Sequence, residues 1–136
     1  MKRTRILIAG EHPRVRDGLR ALLETQDDLQ VVGVARDEQA ALGAVAALAP
    51  EVVVLDLGRR HWLAAPAIAA GLKARPGPPA VVILVRPDTP WLADLAARAG
   101  ADALISRAEA AALLAGVIRG LARGAPIAAP PLPRPA

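Results

Sequence analysis

The run "EVVVLD", residues 51–56, decides the fold. Three valines and a leucine follow one another without a polar break and deliver an aspartate, Asp56. A strand with one wet face alternates apolar and polar residues. A run that is apolar at every position suits a strand covered on both faces. Four more runs share the pattern: "RILIA" (5–9), "LQVVGVA" (29–35), "AVVILV" (80–85) and "ADALI" (101–105). Such strands are expected in parallel sheets flanked by helices.

Helical spacing fills the intervals. Val15, Leu19, Leu22 and Leu23 fall on one helical face, as do Ala41, Ala44, Val45 and Leu48. Leu92, Leu95, Ala96 and Ala99 make a third stripe. Ala110, Leu113, Leu114, Val117, Ile118 and Leu121 make the longest one. Thr89-Pro90 reads as an N-cap followed by proline in the first turn. Ser106 and Glu109 have capping-box spacing. The stretch 62–74 is the poorest helical pattern, because Pro66 and Gly71 interrupt it.

Strand and helix repeated five times predict an α/β fold, a flavodoxin-like doubly wound parallel sheet of strand order 2-1-3-4-5 with right-handed crossovers. The ligand crevice of such a sheet lies beyond the carboxyl ends of its strands, at the switch between strands 1 and 3. That gathers Gly10, Glu11 and Asp56. Val85–Arg86 and Ser106–Arg107 form the far wall.

The 136 residues suit one core, 54% hydrophobic and with Trp62 and Trp91 as its two aromatics, so the interior is aliphatic. With no cysteine, disulfides and thiolate metal sites are excluded. The apolar run after "MKRTR" is too short for a signal peptide. No stretch approaches the roughly 20 apolar residues of a membrane span. A cytoplasmic protein is expected. The net charge of +4 comes mostly from scattered arginines without interleaved aromatics, so nucleic acid is not an expected partner. The segment "APIAAPPLPRPA" after Gly124 is rich in proline and is expected to be a disordered tail (125–136) to a domain of residues 1–124.

"RILIAGEHPRVRDGLRALLE", "LQVVGVARD", "PEVVVLDL", "AVVILV" and "RAGADALISRAEAAALLAGVIRGLARG" together resemble the receiver domain of bacterial response regulators, of the NarL/LuxR type, over residues 4 to about 124. The resemblance implies a phosphoacceptor aspartate at the end of strand 3, where Asp56 stands, and a Mg2+ ion held with two acids after strand 1. Those two positions are Gly10 and Glu11 here. It also implies a hydroxyl at the end of strand 4, a lysine at the end of strand 5 and an aromatic switch residue on strand 5. Val85, Arg107 and Leu104 stand there instead. The loop after the aspartate is replaced by "GRRHWLA".

These departures bear on the chemistry. Phosphoryl transfer depends on positioning and charge neutralisation. The rim sets Glu11, Asp56 and Asp88 against Arg59, Arg60, Arg86 and Arg107, so it has turned from acidic towards basic. Arginine is a planar fork suited to carboxylates, and Arg107 or one of its rim neighbours can pair with Asp56 and occupy the nucleophilic oxygen. Glu11 suits the positive end of the first helix. His12 reads as a surface or cap residue, Ser106 as a helix cap, and His61–Trp62 as either an interaction knob or cover for a helix.

The expected function is therefore that of a stand-alone, degenerate receiver in two-component signalling. It would act by phosphorylation-independent protein contact rather than as an enzyme, with at most vestigial self-phosphorylation at Asp56. Its partners would be a sensor kinase, another signalling protein or a second copy. Dimerisation would use the helices after strands 4 and 5, or the first and last helices. No cofactor is required. Two alternatives stay open: a weakly phosphorylatable receiver in which Glu11 and Asp56 hold Mg2+ weakly, and an anion or nucleotide sensor using Arg59, Arg60, Arg86 and Arg107.

Overall fold

In the computed structural model, residues 2–56, 65–85 and 100–124 are described, together with the single positions 94, 97 and 98. Five parallel strands pair in the order β2-β1-β3-β4-β5. They are β1 (Thr4–Gly10), β2 (Leu29–Ala35), β3 (Val52–Asp56), β4 (Ala80–Val85) and β5 (Ala103–Ser106). The helices are α1 (Pro13–Glu24), α2 (Glu38–Leu48), α3 (Ala65–Lys73) and α4 (Ala110–Ala122). The predicted topology is the observed one.

The alternation of side chains along each strand explains why the strands read as apolar throughout. Ile6, Ile8, Val52, Val54, Val82, Leu84 and Ile105 face one way, against Leu19 and Leu23 of α1 and Leu114 and Ile118 of α4. Leu7, Val53, Leu55, Val81, Ile83 and Val85 face the other way, against Ala41 and Val45 of α2 and Ile68, Ala69 and Leu72 of α3. Both faces of the central strands are thus dry. Small alanines on α2 and α3 allow those helices close approach.

The helix stripes hold where the structure describes them, although Val15, Leu22, Ala44, Leu48, Leu113 and Leu121 are only partly buried. Pro66 falls within the first turn of α3, where proline is tolerated. Thr89, Pro90 and the stripe from Leu92 to Ala99 lie outside the described residues, as do Arg59, Arg60, His61, Trp62, Arg86, Asp88 and residues 125–136.

The expected capping box does not form. Ser106 ends β5 and makes no side-chain cap bond, and neither does Glu109. A 3-10 turn, Arg107–Glu109, comes first, and α4 begins only at Ala110. The tighter turn replaces side-chain capping and turns Arg107 back over the sheet.

At the opposite, amino-terminal pole, Asp102 Oδ2 accepts from Lys73 Nζ and from the backbone N–H of Val81, each at 2.8 Å. This carboxylate joins α3, β4 and β5. Beside it Gly100 sits at φ +98° with the Lys73 stem 3.3 Å from where a Cβ would lie, so both backbone and space require glycine. A second tie is the Arg119 fork, which donates to both oxygens of Asp28 at 2.7 and 2.9 Å and to Gln26 Oε1 at 2.6 Å. No helix among the described residues is long and apolar enough to cross a membrane.

Two predictions follow from local energetics. Ala49 ends α2 in the left-handed conformation at φ 47°, which costs a non-glycine residue free energy. Ala49→Gly is expected to raise unfolding free energy by about 1 kcal/mol in urea titration. The hydrogen bond from Arg119 lowers the Asp28 pKa below its ordinary 3.8. A carboxylate depressed in the folded state adds stability above its unfolded pKa and loses it as pH falls through the folded value. The destabilisation caused by Asp28→Asn is therefore expected near pH 7 and should shrink steadily below about pH 4.

Candidate functional site

The register of the sheet assembles the site. Gly10 pairs with Asp56, and Val85 pairs with Ser106. By strand alternation Gly10 shares the face of Ile8, Asp56 that of Val54, and Arg107 that of Ile105. All three therefore lie on the α1/α4 side, beyond the carboxyl ends of the strands. β4 separates Asp56 from Arg107, two strand spacings of about 4.8 Å apart. A long guanidinium side chain spans that gap.

Arg107 Nη2 donates to Asp56 Oδ2 at 2.7 Å. The Asp56 side chain is 2% exposed and that of Arg107 27%. This is the length expected of a charge-assisted hydrogen bond. A buried carboxylate is costly without such a partner. Of the arginines expected around the crevice, Arg107 alone lies among the described residues, and it pairs with Asp56 as foreseen.

A second arginine at the crevice has no counterpart in the sequence-based expectations. Arg16, on the first turn and a half of α1, donates from Nη1 to the carbonyl oxygen of Gly10 at 2.7 Å. Its position four residues after His12, the N-cap of α1, is the signal that could have found it: such a side chain reaches back over the strand end. His12 is the cap residue by position, without a side-chain cap bond. Val85 is buried in the α2/α3 core, and Leu104 packs beside it half-buried.

The resemblance to receivers implies Mg2+ at this place. Asp56 Oδ1 and Glu11 Oε2 are buried and accept no hydrogen bond among the described residues, so they could offer a cation two ligands. The remainder of the site does not fit. No group of three or more acidic or histidine side chains able to hold a metal occurs among the described residues. A Cβ at position 10 would lie 3.0 Å from the Asp56 backbone oxygen and 3.4 Å from Arg16 Cγ, so a third carboxylate has little room. Among the described residues, Arg107 pairs with Asp56 and Arg16 holds the Gly10 carbonyl, which sets two positive charges at this end of the sheet beside Asp56 and Glu11.

No family model matches the chain. Among curated proteins, a protein-glutamate methylesterase/protein-glutamine glutaminase of Myxococcus xanthus is 34% identical over 139 aligned residues, covering 96% of this chain and 40% of that protein. Among solved structures, the receiver domain of the regulator NarL from Mycobacterium tuberculosis superposes with a TM-score of 0.80 at 23% identity, covering 91% of this chain and 99% of that one. A LuxR-family two-component response regulator from Aurantimonas superposes with a TM-score of 0.76 at 25% identity, covering 95% of this chain and 91% of its own. The present chain is a response-regulator receiver domain. This receiver spans well under two thirds of the curated relatives it matches, 22% of the Salmonella typhi transcriptional regulatory protein BtsR for example. The Asp56–Arg107 pair lies at the end of β3, where the resemblance implies the phosphoacceptor.

The pair can be tested by stability alone. Arg107→Ala leaves Asp56 buried without its partner and is expected to cost about 2–4 kcal/mol in urea unfolding. Adding Asp56→Asn should restore most of that loss, because a neutral amide carries no charge to strand.

Proposed function

We propose that this receiver acts in two-component signalling by phosphorylation-independent protein contact, with Asp56 retained as a structural carboxylate. The observation that carries the reading is the 2.7 Å contact from Arg107 to Asp56 Oδ2. An aspartate attacks a phosphoryl group through a free, in-line oxygen, and surrounding groups neutralise the charge that develops. Here one oxygen is engaged by a guanidinium, and position 10 supplies no carboxylate. Val85 offers no hydroxyl to hold a transferred phosphoryl group. Packed in the aliphatic core, it also cannot swing outward as a reporter of the site.

A partner surface is supported by the open apolar groove of about 390 Å³ between α1 and α4, lined by Val15, Leu19, Leu22, Leu84, Ala110 and Ala111. The stem of Arg107 lines the same groove. We assign it to a second copy of the chain or to another signalling protein. Esterase activity belongs to the Myxococcus relative as a whole, and no such activity is proposed for this chain.

A second reading, weak phosphorylation of Asp56, is favoured by Asp56 Oδ1 and Glu11 Oε2, which have no hydrogen-bond partner among the described residues. Amide NMR titration with Mg2+ and then beryllium fluoride separates the two. On the first reading, wild type and Asp56→Asn respond alike, without shifts in β4 or β5. Shifts radiating from Asp56 that are lost in Asp56→Asn would establish the second. For the groove, light scattering is expected to give a dimer mass for wild type and a monomer mass for the Val15→Glu/Leu22→Glu variant. A wild-type monomer would remove the second copy as its occupant.

A further inference from the structure

We infer that Arg16 closes this crevice to divalent cations, by setting a positive charge at the end of β1 and laying its stem along the open side of Gly10. Three observations meet there. Arg16 Nη1 takes the Gly10 carbonyl oxygen at 2.7 Å, so the guanidinium lies against the end of β1. Gly10 pairs with Asp56, so the carbonyl that this guanidinium holds belongs to the strand beside the aspartate's. The Arg16 stem stands 3.4 Å from where a Cβ on Gly10 would be. Arg107 engages Oδ2 of Asp56, but Oδ1 and Glu11 Oε2 have no partner among the described residues, so Arg107 alone does not account for a crevice closed to cations. A second positive charge on the β1 side does. Arg16 is a specificity-determining residue on this account, and it acts by charge and space rather than by touching a reactant. The inference rests on the reading that Asp56 works without a metal.

The test is Mn2+ titration followed by paramagnetic broadening of amide signals around Glu11 and Asp56, in the intact chain. Arg16→Gln is expected to tighten Mn2+ binding about tenfold over wild type, and Arg16→Lys, which keeps the charge, to leave it unchanged. Wild-type affinity in Arg16→Gln, or an equal gain in Arg16→Lys, would overturn the inference. The folded state of each variant is read from its own amide spectrum. Tight Mn2+ binding by wild type would instead overturn the metal-free reading of Asp56, and the ratio between Arg16→Gln and wild type would still decide the role of Arg16.

Discussion

The ion pair between Arg107 and Asp56 is the constraint on which the carboxyl end of this sheet depends. Asp56 closes a strand that is buried on both faces. A carboxylate there must be compensated, by a metal, by a hydrogen-bond network or by a cation of the chain itself. This receiver uses its own cation. Arginine is suited to the task because it stays charged and its planar fork fits a carboxylate at short range. The compensation is intramolecular.

The geometry of that pair comes from features far from the charge. Parallel pairing sets Gly10 beside Asp56 and Ser106 beside Val85, and the 3-10 turn after β5 carries Arg107 back across β4. The same arginine presents its stem to the groove between α1 and α4. Packing between those helices and the state of the pair are therefore linked through one side chain. Elsewhere, Asp102 and the Arg119–Asp28 fork tie the amino-terminal pole of the sheet.

Most of the architecture was legible in the sequence because burial on both faces leaves an unmistakable apolar run. Strands 29–35 and 80–85 were read to the residue, and β5 was placed two residues early because "AD" looks extended but precedes the strand, with the Asp102 carboxylate bonded to the Val81 N–H of β4. The capping box at Ser106 was misread. Spacing alone cannot tell an α-helical first turn from a 3-10 turn, whose hydrogen bonds leave different N–H groups to be capped. Val32, the extra residue where the β1–β2 register shifts, left no trace in an apolar run. Of the candidate site, Arg107 was one of four arginines foreseen as a partner for Asp56, whereas Arg16 was not foreseen, because a helix-borne arginine is ordinarily solvated surface. Only the position of Gly10, without a side chain of its own, gives Arg16 somewhere to go.

The central claim, that Arg107 and not a metal compensates Asp56, is tested most directly by a high-resolution crystal structure grown in Mg2+ and beryllium fluoride. The account predicts Arg107 Nη2 still within hydrogen-bond distance of Asp56 Oδ2, with no ion on Glu11 and no adduct on Asp56. Arg107 swung into solvent, with Mg2+ bridging Glu11 and Asp56 and beryllium fluoride on the aspartate, would contradict it.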